Sequence, residues 1–356
     1  MSEADQNRRA SITGCLLGTA VGDALGLAYE GISPRRAARM FGEPNGFRFF
    51  FGHGMVSDDT EHTCLVAQAL IASGGDVERF QADLARRFRW WLLALPAGVG
   101  LATLRAIMKL WLGFGPQRSG VFSAGNGPAM RAAILGATVS DLEQLKELVR
   151  ASSQITHTDP KATYGAFAVS LAARMASQRN TDSGEHFVEL LRSTLGPDAS
   201  ELHERITQAV HSVNDSQSTE AFAVSIGLVK GVTGYVYHTV PVAIHAWLSH
   251  PHDYRAAVSS AVRCGGDTDT VAAITGGIVG AAVGPGGIPA EWLERLIEWP
   301  QSVGWMKQLG IPLDQAPTPH TVCLPQPPSL WKILPRNLLF LFIVLFHGFR
   351  RLLPPY

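Results

Sequence analysis

The chain has 356 residues, with 30 Lys and Arg against 30 Asp and Glu, so its formal net charge is zero. A hydrophobic fraction of 46% and a charged fraction of 17% allow a sizeable core and exclude a disordered chain. The missing basic surplus argues against a nucleic-acid partner, although it leaves room for a local basic patch.

The cysteines, Cys15, Cys64, Cys264 and Cys323, follow no zinc-type spacing and read as buried reduced thiols. Met1 to Ala10 is polar and carries no apolar signal core, which points to a cytoplasmic protein.

Ser11 to Ala28 reads as a helix around Asp23, with Gly14, Gly18, Gly22 and Gly26 on one stripe. Each glycine weakens a helix by about 1 kcal/mol relative to Ala, so the stripe predicts close approach of another helix or of a ligand. Asp23 reads either as a structural hydrogen-bonding group or as a site residue, and it shares a face with Glu30 if the helix persists. By itself Glu30 is a solvated carboxylate at a helix exit. Ser33-Pro34 opens a short helix. Gly42 to Val56 is a Gly- and Phe-rich loop, whose Phe47, Phe49, Phe50 and Phe51 pack or line a pocket. Ser57 or Asp58 caps a helix to about Ala72, and Asp76 caps the next, to about Leu95 before Pro96.

After a helix over about Leu101 to Trp111 comes a glycine-rich loop, Ser119 to Gly127, entering a helix at Pro128. Such a junction presents backbone N–H groups to an anion, or is an ordinary helix entry. It lacks the Gly-Lys-Ser/Thr ending of a P-loop. Ser140-Asp141 caps a helix to about Ser153. Thr156-His157-Thr158-Asp159 then breaks the chain before a helix from Pro160 to about Ser177. His157 is open to three readings: a cap, a metal ligand or a substrate contact.

Further helices are expected from about Glu185 to Thr194, Asp198 to Val213, Ser218 to Gly227, Tyr235 to Trp247, Asp253 to Arg263 and Thr270 to Val283. Short amphipathic pieces follow at Glu291 to Trp299 and Val303 to Leu309. No period-two strand occurs, so residues 11–312 read as one compact all-α domain. Residues 313–330 form a Pro-rich extended linker, and residues 331–356 an apolar C-terminal helix or tail. Its run from Leu338 to Phe346 falls short of the ~20 residues that span a bilayer. Being apolar all round, the run calls for burial on every side: against the domain or a second subunit, at a membrane surface, or, as the last alternative, across a bilayer. Removing Leu330 to Tyr356 is expected to leave the active site intact while changing solubility or assembly.

Two clusters carry the chemistry. Ser57-Asp58-Asp59 and Asp267-Thr268-Asp269-Thr270 each combine carboxylates with hydroxyls at the mouth of an apolar helix. Oxygen-only ligands suit Mg²⁺, Mn²⁺ or Ca²⁺, and two dications would offset the mutual repulsion of the carboxylates. The competing reading is that each cluster merely caps its own helix.

Taken together, Gly18-Thr19-Ala20-Val21-Gly22-Asp23-Ala24-Leu25-Gly26, Glu30, Ser57-Asp58-Asp59-Thr60, Gly125-Asn126-Gly127 with Met130-Arg131, Thr156-His157-Thr158-Asp159-Pro160 and Gly266-Asp267-Thr268-Asp269-Thr270 resemble the ordered motifs of the ADP-ribosylglycohydrolases. The resemblance covers about Ser11 to Leu309. It implies an all-α domain with two Mg²⁺ (or Mn²⁺) in a central cleft, cleaving the bond between ADP-ribose and its acceptor in a protein or small conjugate. Ser57, Asp58, Asp59, Asp267, Asp269 and Thr270 would be metal ligands. Ser57 stands where the family often has Thr, which keeps the hydroxyl. Glu30 would be a general acid/base or a gate, acting with Asp58 and Asp269 beside a metal-activated water. Ser123, Gly125, Asn126 and Gly127 would cradle the diphosphate and ribose, His157 would contact the ribose-phosphate region, and Tyr235 would pack near the adenosine end. The alternatives are an ADP-ribose or nucleotide binder with little turnover, and a different metal-dependent hydrolase.

Overall fold

In the computed structural model, which describes residues 3–178, 183–315 and 330–352, every regular element is helical. In chain order the helices are α1 (Glu3–Gly26), α2 (Pro34–Phe41), α3 (Asp58–Ser73), α4 (Val77–Leu93), α5 (Leu101–Trp111), α6 (Gly127–Met130), α7 (Ala133–Thr138), α8 (Leu142–Gln154) and α9 (Pro160–Ser177). The second half adds α10 (Gly184–Leu195), α11 (Ser200–Asn214), α12 (Thr219–Ser225), α13 (Val236–Ser249), α14 (Tyr254–Arg263), α15 (Thr268–Gly287), α16 (Ala290–Glu294), α17 (Val303–Gln315) and α18 (Leu330–Arg350). Among the described residues no strand forms, only isolated bridges such as Ile32 with Gly266 and Gly125 with Tyr235.

The glycine stripe meets another helix. A Cβ on Gly14, Gly18 or Gly22 would stand 2.1 Å from the carbonyl oxygen of Gly280, Gly276 or Ala272, and one on Gly26 2.4 Å from that of Thr268. Residue numbers rise along α1 as they fall along α15, so the pair is antiparallel with its backbones in contact. Tertiary packing thus offsets the poor helix propensity of α1. The same register sets the C-terminus of α1 beside the N-terminus of α15. Around this pair pack α3, α9, α13, α14 and α17, and nearly every side chain of α15 from Thr268 to Ala282 is buried.

Several boundaries differ from expectation. The first helix begins at Glu3 and not at the expected Ser11, and in its added turns Arg8 and Arg9 pair with Asp314 at 3.3 and 3.5 Å. It ends at Gly26, so Glu30 is not on the helical face of Asp23 and is placed by the following turn. The short piece expected to reach Trp299 stops at Glu294, whereas α17 continues past Leu309 through Pro312 to Gln315. Buried Met306, Leu309 and Leu313 keep α17 against the domain. Cys15, Cys64 and Cys264 are buried free thiols, while Cys323 and most of the expected linker lie outside the described residues.

The C-terminal helix docks on its own domain with a polar inner face. Arg336 Nη1 lies 3.0 Å from Glu61 Oε1 and Nη2 lies 2.7 Å from Glu298 Oε2, with all three side chains buried. Asn337 Nδ2 donates to Ala94 O at 2.7 Å. The His347 ring stacks on Phe49 with centroids 4.7 Å apart, and Phe340 packs on the same ring. The expected burial on every side is not met: Trp331, Leu338, Phe342, Leu345, Phe346 and Phe349 are exposed. The domain needs only the side that carries Arg336, Asn337 and His347. By length and composition, Trp331–Arg350 and the core segment Thr268–Gly287 are each long and apolar enough to cross a bilayer.

Candidate active site

Asp23 anchors the first acid cluster from the core. Its buried carboxylate accepts from Ser57 N at 2.9 Å, Thr60 N at 3.2 Å and Thr60 Oγ1 at 2.5 Å. A carboxylate on α1 thereby satisfies orphan N–H groups at the start of α3. Burial pushes Asp23 up to about 6, against the pull of those hydrogen bonds. The structural reading of Asp23 thus holds. Ser57 caps α3, its Oγ accepting from Asp59 N at 3.3 Å and lying 3.1 Å from Asp59 Oδ2.

The second cluster sits on a clamped turn. Gly265 and Gly266 have φ of +65° and +79°, and a Cβ on Gly266 would stand 2.0 Å from Val232 O. Gly31 N donates to Gly266 O at 2.7 Å, Gly266 N to Ile32 O at 2.9 Å and Asp267 N to Val232 O at 2.9 Å. The clamp sets Glu30 beside Asp267. Asp267 makes no side-chain cap on α15; its Oδ2 instead accepts from Asn126 Nδ2 at 2.7 Å. Thr270 Oγ1 reaches Asp59 Oδ2 at 3.3 Å and so joins the two clusters. Capping alone therefore does not account for either one.

A cavity of about 350 Å³ gathers most of the expected residues: Glu30, Asp58, Asp59, Ser123, Gly125, Asn126, Gly127, His157, Asp267, Asp269 and Thr270 all line it. Ser57 lies behind its wall, touching Asp59. Tyr235 is outside the lining. Its backbone pairs with Gly125, and its hydroxyl sits 3.1 Å from Lys161 Nζ and 3.2 Å from Glu201 Oε1. In the glycine-rich loop, two N–H groups are already engaged: that of Gly125 by Ser123 Oγ at 3.3 Å and that of Asn126 by Gly234 O at 2.9 Å.

The electrostatics follow from crowding. Burial raises Asp58, Asp59 and Asp269 well above the usual carboxylate range, and neighbouring acids add to it: Asp23 and Glu61 on Asp58, Asp23 and Asp58 on Asp59, Glu30 and Asp267 on Asp269. Glu30 is exposed at the cavity edge, yet desolvation by the surrounding protein, and then Asp267, raise it, while Arg351 lowers it. Asp59 Oδ1 is buried with no hydrogen-bond partner among the described residues. Among those residues, no group of three or more acidic, His or Cys side chains stands ready to hold a metal ion. The donor set nevertheless fits a hard dication: oxygens only, mutually repelling, one of them orphaned.

Arg131 is the main residue whose role went unread. Fully buried, it donates to Gly127 O at 2.9 Å, Ser152 O at 3.0 Å and Thr156 Oγ1 at 2.8 Å. His157 Nδ1 is in turn 2.9 Å from Thr156 Oγ1, so Arg131 ties the glycine-rich loop to the histidine. Burial, and next Arg131, push His157 down to about 3, which keeps its imidazole neutral. The signal available was an arginine directly before an apolar stretch. Gly98, Gly100, Leu101 and Thr103, which form one rim of the cavity, carried only the marks of a helix-to-helix connection.

A family profile described as ADP-ribosylglycohydrolase matches residues 4–318, and the chain belongs to that family of glycosyl-bond hydrolases. Among its relatives is ADP-ribosylhydrolase ARH3 of Gallus gallus, 28% identical over 80% of this chain and 88% of that one. The ADP-ribosyl-[dinitrogen reductase] glycohydrolase of Rhodospirillum rubrum is 29% identical over 80% of this chain and 89% of that one. A solved structure titled ADP-ribosylglycohydrolase-related protein complex superposes with a TM-score of 0.65 at 25% identity, covering 88% of this chain and all (100%) of that one. The family segment ends before α18 begins.

Proposed function

We propose that the protein hydrolyses the glycosidic bond between ADP-ribose and an acceptor on a protein or small molecule, in the presence of two divalent cations of the Mg²⁺ or Mn²⁺ type. The observation that carries this is the meeting of Glu30, Asp58, Asp59, Asp267, Asp269 and Thr270 in one cavity with Ser123, Asn126 and His157. Ser57, Asp58, Asp59, Asp267, Asp269 and Thr270 would hold the cations. When bound, they supply Lewis acidity toward the ribose hydroxyls and water.

The remaining steps fall to the chain's own groups. Glycosidic cleavage builds oxocarbenium character and needs a proton for the leaving group. Glu30 stands at the cavity edge, and its raised pKa suits a carboxyl that gives a proton and takes one back. Ser123, Gly125, Asn126 and Gly127 border the space for the diphosphate and ribose. Neutral His157 can exchange a hydrogen bond with them without adding charge.

A panel of ADP-ribosylated acceptors (arginine, serine, O-acetyl ester), assayed with Mg²⁺ and with chelator, tests the reading. ADP-ribose release from at least one acceptor, abolished by chelator, is expected. Asp269→Ala should lower that release by about 10³-fold or more while the protein still folds. Turnover like wild type in that variant, or full activity with chelator, would overturn the metal role.

A further inference from the structure

Although it lies beyond the family segment, the C-terminal helix reaches the site. From the Arg336 ion pairs it crosses the loop after α2, where His347 Nε2 meets Phe49 O at 2.5 Å. It ends over the turn that follows α1. There Arg351 Nη2 donates to Leu27 O at 3.4 Å and Ala28 O at 3.3 Å. Its Nη1 is 3.8 Å from where a Cβ on Gly31 would stand. Arg36 donates to Arg351 O and fixes the backbone of this end. One guanidinium therefore bonds the chain before Glu30 and lies beside Gly31 after it. Its Nε is buried without a hydrogen-bond partner among the described residues.

We propose that Arg351 is a positioning residue for Glu30. Its guanidinium closes off the carbonyl end of α1 and braces the Tyr29-Glu30-Gly31 turn, so that the Glu30 carboxylate is held toward the cavity. The carbonyl end of a helix is a site of partial negative charge with unsatisfied acceptors, and a multi-donor cation is the fitting partner. Gly31, with φ of +71°, gives the turn no side chain of its own to brace it. Glu30, whose backbone the clamp at Gly31 and Ile32 already seats, thus owes part of its orientation to a residue more than three hundred positions away, just past the end of α18. Deleting the tail would then disturb the site, contrary to the expectation from sequence that the two are independent. The inference rests on the reading of Glu30 as the proton-transferring group.

A double-mutant cycle in the full chain tests it, using Arg351→Met, Glu30→Gln and the pair, with melting temperatures to verify folding. Arg351→Met should lower kcat for ADP-ribose release about tenfold, part of the 10²–10⁴ contributed by a positioned acid or base, and leave KM within about twofold. Arg351→Lys should recover part of the loss. In the Glu30→Gln background, Arg351→Met should change kcat by less than about twofold. An equal loss in both backgrounds overturns the inference and leaves the role of Glu30 standing. Unchanged kcat in Glu30→Gln overturns that role, and with it the inference. If no acceptor is cleaved at all, amide hydrogen exchange decides: Arg351→Met should speed exchange at residues 27–31 and little elsewhere, and an unchanged rate there overturns the inference.

Discussion

Asn126 divides its side-chain amide between two partners, Asp267 Oδ2 at 2.7 Å and Thr239 Oγ1 at 3.0 Å. It thereby orients one carboxylate of the proposed metal set and belongs to the glycine-rich loop as well. Outer-shell partners of this kind typically alter metal affinity or activity by 10–100-fold. For Asn126→Ala we expect the Mg²⁺ concentration at half-maximal activity to rise about tenfold or more, read by titrating activity with Mg²⁺. An unchanged midpoint would show that Asp267 is oriented without it. Asp23 is the contrasting case: an acid in the middle of the site motifs that serves the backbone of α3. Residue type alone does not separate the two roles, because both depend on which N–H groups end up nearby.

At the level of elements, the α1–α15 contact has no tolerance for a methyl group. Gly18→Ala would place a Cβ 2.1 Å from Gly276 O, a clash with backbone that no side-chain rotation relieves. We expect a loss of about 3 kcal/mol, seen as a lower urea midpoint, whereas Gly46→Ala, with nothing within 4 Å, should stay within about 0.5 kcal/mol. This contact was half legible in the sequence, since spacing by four announced a close approach and left the partner open. The helices were the clearest part. Asp76 and Asp141 each cap the helix they were expected to cap, because caps are local chemistry. The site was legible as residue types, because the acids and hydroxyls cluster locally. The seating of Glu30 was not, since it depends on a clamp between residues 31–32, 232 and 265–267. Docking of α18 on the domain was one of the options read from its apolar run, but its means was not: Arg336, just before that run, gives no local sign that Glu61 and Glu298 await it.

Across the whole molecule, buried histidines tie stability to pH. His245 lies between α11, α12 and α13, with Nε2 3.1 Å from Ser212 Oγ, Nδ1 3.1 Å from Thr219 Oγ1 and its ring stacked on Phe222 at 4.7 Å. Burial, and then His250, lower it from 6.5 to about 4. Between those values the unfolded chain binds the proton and the folded one does not, so this group's contribution rises with pH across the window and fades below it. The full span corresponds to about 3 kcal/mol. The urea midpoint of the native protein should therefore fall more between about pH 7 and pH 5 than that of His245→Gln. Equal slopes would remove His245 as the cause.

The glycine stripe also decides how the molecule can come apart. With carbonyl oxygens of α15 lying where α1 would carry methyl groups, the two helices cannot slide or loosen by degrees. They separate together or not at all, and separation parts Asp23, with the start of α3 that it holds, from Asp267, Asp269 and Thr270 on α15. The acid clusters proposed to hold metal thus belong to the last unit to open, while Glu30 and α18, held by loops and a helix end, belong to a part that can open while the fold stands. A single chain therefore has two ways to lose its site: unfolded throughout, or folded with only Glu30, the proposed proton donor, out of place.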